Sequence, residues 1–94
     1  MQLIAKGVVV GNREEPFFKG ENFGFAAVSR NGVGSNVLTL NAPLTAGAEW
    51  RMMSPYPQVV FVCHRLNGLQ LKIDTRTNGT PVDVAEFTVA VVQA

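Results

Sequence analysis

Apolar and polar positions alternate through most of this chain, most clearly on either side of Asn67-Gly68. An Asn-Gly pair between two alternating runs predicts a two-residue type I′ hairpin, because both central residues must accept positive φ. That turn sets Leu66 opposite Leu69 and, stepping outward, His64 opposite Leu71, Val62 opposite Ile73 and Val60 opposite Thr75. The face with Val60, Val62, His64, Leu66, Leu69, Leu71 and Ile73 is then the buried one. The other face carries Phe61, Cys63, Arg65, Gln70, Lys72 and Asp74.

Period-two patterning extends in both directions from this hairpin. Gln2 to Val10 reads as a strand at least half buried on both faces, with Leu3, Ala5 and Val9 on one side and Ile4, Val8 and Val10 on the other. Asn12 to Pro16 has charge and turn chemistry, hence a solvated loop. Of the adjacent Phe17 and Phe18, one is expected to anchor and the other to be exposed. Phe23 to Arg30 places Phe23, Phe25 and Ala27 on one side. After the turn Asn31 to Gly34, Ser35 to Asn41 points Leu38 and Leu40 inward, giving a second hairpin. Pro43, Pro55 and Pro57 exclude a central strand between them, leaving Trp50 to Met53 as a short strand or one helical turn. Arg76 to Val84 reads as a loop with a further Asn-Gly. Ala85 to Gln93 closes the chain, Phe87, Val89 and Val91 alternating with Glu86, Thr88 and Ala90. Strands spaced by turns, without helical periodicity, predict an all-β fold: a small antiparallel β-sandwich, jelly-roll-like, of about six to eight strands. Residues 1–94 form a single domain.

Composition adds a constraint on partners. A 94-residue chain buries roughly 60 to 65% of its unfolded surface, which leaves a thin core. Only 16% of the residues are charged and 47% are hydrophobic, against about 25% charged in an ordinary globular domain. Such a shortage fits a surface partly covered by another chain, since charge is depleted at interface centres. The net charge is +1 and the basic residues are scattered from Lys6 to Arg76. No electrostatic footprint for nucleic acid or an anionic membrane results. No apolar run approaches the roughly 20 residues of a membrane span, and because Met1 opens directly into a strand-like run no signal peptide is expected.

Candidate chemistry is sparse. Cys63 is the one cysteine and His64 the one histidine, with Asp74 and Asp83 the only aspartates. A metal site or acid–base pair lacks partners, and neighbours on a strand point to opposite faces, so Cys63 and His64 cannot form a nucleophile–base pair. His64 is expected to be buried and neutral near pH 7, and Cys63 to be a packing residue. Gly32-x-Gly34 lacks the third glycine and following helix of a phosphate site, and Asn78-Gly79-Thr80 is a glycosylation pattern without a leader. No catalytic, metal-binding or cofactor-binding residue is assigned, and the chain is not expected to be an enzyme. The aromatics in or beside loops suit either a subunit interface or a sugar platform. Low charge favours the interface, with Phe18, Trp50, Met52, Met53 and Tyr56 as its expected anchors. The alternative is a small carbohydrate- or receptor-binding module stacking on Trp50 and Tyr56.

Three segments carry a resemblance. FGFAAVSRNGVGSNVLTLNAPL, VVFVCHRLNGLQLKIDTRT and NGTPVDVAEFTVAVVQ together resemble the strand and turn patterns of small all-β modules of tailed phages. Those modules occur as virion-associated proteins and at the ends of fibre or spike proteins. The resemblance covers residues 23–94 and brings no catalytic residue. It implies a non-enzymatic structural protein of a virus particle, a capsid decoration or spike module made in the host cytoplasm and residing in the virion. It also implies self-association through sheet faces and edge strands, a homo-oligomer with a trimer favoured, and contacts with other virion proteins.

Overall fold

The structure, a computed structural model, describes residues 2–44 and 47–93. The strands are β1 (Gln2–Val10), β2 (Phe17–Phe18), β3 (Phe25–Gly32), β4 (Ser35–Leu40), β5 (Ala48–Met53), β6 (Val60–Arg65), β7 (Gln70–Thr77), β8 (Thr80–Pro81) and β9 (Phe87–Gln93). They form two antiparallel sheets, β2-β1-β9-β5 and β3-β4-β7-β6, with β8 added to β7. No helix forms among the described residues, and none is long and apolar enough to cross a membrane. The fold is a small β-sandwich, as the alternation predicts.

The core sits between the sheets and is built on the closing strand. Phe87, Val89 and Val91 are essentially inaccessible on the inner face of β9, beside Ala5 and Val9 of β1. Leu38 and Leu40 of β4 and Leu71 and Ile73 of β7 meet them from the second sheet. Each large apolar side chain buried this way contributes about 1.5–3 kcal/mol relative to exposure. Phe61 of β6 adds a tilted ring contact to Phe87 at 5.6 Å.

The Asn67-Gly68 hairpin forms, but not in the expected register. Asn78 alone among the described non-glycine residues has positive φ, and Gly68 has none. Instead, the Asn67 side-chain oxygen accepts hydrogen bonds from the amides of Leu69 and Gln70, at 2.9 and 3.0 Å, an Asx-type turn. The Leu66 amide donates to the Gln70 carbonyl, so three residues form the loop, and Cys63 lies opposite Ile73 and Phe61 opposite Thr75. A slip of one residue turns a strand over. Phe61 and Cys63 therefore pack against the core, while Val60, His64 and Leu66 are exposed and Val62 stands on the outer face. Leu71 and Ile73 remain inward as expected, whereas Leu69 is exposed. The cause is tertiary: the Leu44 amide donates to the Gly68 carbonyl and the Leu40 amide to the Leu69 carbonyl, both at 2.7 Å. The type I′ geometry appears instead at Asn78-Gly79, whose φ values are 52° and 78° between paired Thr77 and Thr80.

Two further departures shape the first sheet. A register shift between Leu3 and Ala5 sends Leu3 to the outer face, although it was expected beside Ala5. Phe23 lies outside β3 and pairs with Lys6 as an isolated bridge, leaving its side chain exposed, while a second shift beyond Phe25 sends Ala27 outward. Phe18 anchors by stacking on Phe25 at 5.4 Å, and exposed Phe17 lies beneath the Arg13 guanidinium. Between Phe23 and Phe25 the chain passes from one sheet to the other through Gly24.

Gly24 has φ of +81°, and a Cβ there would run into the Ile4 carbonyl oxygen and the Ala5 side chain. Gly24→Ala should therefore destabilise by at least about 2 kcal/mol. Gly79→Ala, where a Cβ would meet nothing within 4 Å, should cost less. Urea denaturation of both variants checks the order.

Candidate functional site

The outer face of the β2-β1-β9-β5 sheet is a concave apolar surface. Strand pairing arranges it in three rows: Leu3, Val92 and Glu49; Lys6, Ala90 and Arg51; Val8, Thr88 and Met53. The central strand turns its bulk inward, so Thr88 and Ala90 form a low floor. Longer side chains of β1 and β5 stand on either side as walls. The result is a groove of about 490 Å³. Leu3 is 44% exposed and Met53 73% exposed, a large apolar commitment to solvent on one face of a small domain. The middle row places one cation on each wall, Lys6 and Arg51.

The wall formed by Leu3, Lys6 and Val8 is shared with a second depression of about 400 Å³ on the β1 side. Phe23, 54% exposed, borders it together with Glu21 and Asn22. Apolar surface thus continues from Met53 across the sheet to Phe23.

The residues expected as anchors are only partly brought together. Trp50, Met52 and Met53 share β5; Trp50 and Met52 are half-buried and pack on the core, Met52 also lining the groove, and Met53 is the exposed member. Phe18 lies on β2, at the opposite edge of the sheet, beneath Phe25. Tyr56 is exposed in a separate cleft of about 300 Å³ of mixed polarity, with Asn12, Gln58, Val59 and Val82 among its lining. Leu3, Val8 and Phe23 line the surface without having been expected there. The signal for the floor lay in β9, where small Thr88 and Ala90 alternate with large core residues.

The histidine, the cysteine and both aspartates lie away from this face. His64, expected to be buried, stands on the outer face of the second sheet with its side chain 52% exposed and Nε2 3.7 Å from Asp74 Oδ2. Lys72 approaches the same carboxylate oxygen at 3.7 Å. The slipped register is what moved His64 outward, against the expectation that it is buried. Cys63, turned inward, has its thiol pushed up to about 12 by burial and, secondarily, by Asp74. It stays protonated and unreactive at neutral pH. Among the described residues no group of three or more His, Cys, Asp and Glu is placed to hold a metal ion.

Asp83 ties the β3–β4 turn to the segment before β9. Its carboxylate accepts from the Gly34 amide at 2.9 Å and from the Arg30 guanidinium at 2.8 Å. Partial burial works to raise its pKa, but those two donors and the Arg30 charge together hold it below the ordinary carboxylate value of 3.8. A lowered folded-state pKa means that the unfolded chain takes up its proton first as pH falls. The stabilisation from Asp83 is complete above about pH 4 and lost below it, as pH drops through the folded value. Asp83→Asn should therefore be less stable than the parent at pH 7, and the gap should narrow by pH 3. Urea midpoints at the two pH values test this, and an unchanged gap would contradict it. No family model matches the chain, and no curated protein or solved structure matches it.

Proposed function

We propose that the chain is a non-enzymatic structural module that works by docking, with the grooved outer face of the β2-β1-β9-β5 sheet as its contact surface. The observation that carries this reading is the continuity of exposed apolar side chains from Met53 through Leu3 to Phe23. An extended apolar patch on a small domain marks an interaction surface. Lys6 and Arg51, facing each other across the floor, suit a partner segment that is apolar and carries a carboxylate. The setting we propose is a virus particle, the chain serving as a capsid decoration or spike module that contacts itself and other virion proteins. That setting is supported by the resemblance of residues 23–94 to phage modules.

A second reading is favoured by one observation. Phe23 stands exposed beside Glu21, Asn22 and Lys6, an aromatic face with hydrogen-bonding groups around it, as carbohydrate recognition uses. Trp50, packed on the core, is less suited to that platform.

Leu3→Asp and Met53→Asp place a carboxylate on either wall of the groove without touching the core. Both should retain the β-sheet circular dichroism signal and lose at least about tenfold in affinity for the particle, a change of about 1.4 kcal/mol. Co-sedimentation reads the loss, and full retention by both variants would contradict the docking role. Glycan-array binding abolished by Phe23→Ala would establish the second reading instead.

A further inference from the structure

The groove ends at β5, and β5 is a sheet edge. Among the described residues it pairs only with β9, leaving the other side of a regular six-residue strand open. An open edge is a template for another strand. The remaining edges suit pairing less well. β2 spans two residues, and β3 has register shifts near both ends. β6 is regular, but its outer-face residues Val60, Val62 and His64 include no opposite charges that would fix a register.

We propose that β5 is a homotypic docking edge. Two copies join antiparallel about a two-fold axis, with Trp50 opposite the second copy's Trp50. This deepens the docking reading, and rests on it, by naming a second copy as the occupant of the edge while the groove remains for a different partner.

Register follows from which face each side chain occupies. Residues opposite one another in an antiparallel pair lie on the same face. Glu49, Arg51 and Met53 face outward on β5, and Ala48, Trp50 and Met52 face inward. A two-fold pairing must therefore be centred on a residue. Centring on Arg51 sets Arg51 against itself, and centring on Glu49 sets two carboxylates together. Centring on Trp50 sets Glu49 opposite the second copy's Arg51 twice over, with Ala48 opposite Met52 inside. Opposite charges across a strand pair stabilise it, whereas like charges directly opposite destabilise it. The strand thus reads Ala-Glu-Trp-Arg-Met, with a charge pattern complementary to its own reverse.

Both charges are available for such a contact. Glu49 and Arg51 lie 3.7 Å apart on the same strand, with side chains more than half exposed. Pairing would alternate four charges across the axis. On the inner side the two Trp50 rings, each already packed on its own core, would meet at the axis, where aromatic pairs are favourable. The product is one sheet of eight strands running β2-β1-β9-β5 and back in reverse order. A two-fold contact closes at two copies, which departs from the trimer expected on resemblance.

Charge exchange tests the register. Sedimentation equilibrium of the full chain at high micromolar concentration should show a reversible dimer. Glu49→Arg and Arg51→Glu should each raise the dissociation constant by at least about tenfold, since each sets like charges opposite twice. The double variant Glu49→Arg with Arg51→Glu should return to within about threefold of the parent. A monomeric parent, a dimer indifferent to the single changes, or a double variant weaker than either single one would overturn the edge. The docking reading survives those outcomes if Leu3→Asp and Met53→Asp still lose the particle. As an independent check in a Cys63→Ser background, a mixture of Glu49→Cys and Arg51→Cys chains should cross-link, and each chain alone should cross-link far less. Equal cross-linking in all three would equally overturn it.

Discussion

One row of side chains holds the structure together: Phe87, Val89 and Val91 on the inner face of β9. Both neighbouring strands of the first sheet align against it, Val9 opposite Phe87 and Ala5 opposite Val91 on one side, Trp50 opposite Val91 and Met52 opposite Val89 on the other. The second sheet packs its leucines onto the same row. Because side chains alternate across a strand, sending Phe87, Val89 and Val91 inward leaves Thr88, Ala90 and Val92 on the other face, with the small pair Thr88 and Ala90 as the floor of the groove. The core and the groove are therefore two consequences of one alternation. A β9 with large residues on both faces would bury as much apolar surface and have no channel.

The same alternation explains which parts of the fold could be read from the chain. β4 and β9 carry their inward anchors at alternate positions, Leu38 and Leu40 in one and Phe87, Val89 and Val91 in the other, and both lie with the expected side inward. β6 has apolar residues at successive positions, so its pattern fits either face, and only its register decides between them. That register was read from Asn67-Gly68, but the same dipeptide occurs at Asn78-Gly79 with the opposite outcome. The first is held by hydrogen bonds from Leu40 and Leu44, residues more than twenty positions away, and the second closes a short hairpin on its own strand. Contacts of that separation leave no trace in a local window. His64 went to the wrong face for this reason alone.

The candidate surface was legible in part. Met53 stands on it, and β5 is the short, non-central strand that the flanking prolines allow. Trp50 and Met52 were legible as interface candidates by composition, but their inward direction depends on pairing with β9. Leu3 and Phe23 escaped notice because each is displaced by an irregularity, a register shift at one and the Gly24 crossover at the other. A bulge re-aims a side chain, which is how Leu3 reaches the exposed face, whereas Phe23 is left outside β3 by the crossover at Gly24.

The central claim is that this chain meets partners through the grooved face and free β5 edge of one sheet. Amide hydrogen exchange, recorded across a concentration series of the full chain, addresses it most directly. Edge amides of β5 should gain protection as concentration rises, while those of β3 and β6 stay unchanged. Protection that is independent of concentration, or that grows at β6 instead, would contradict the account.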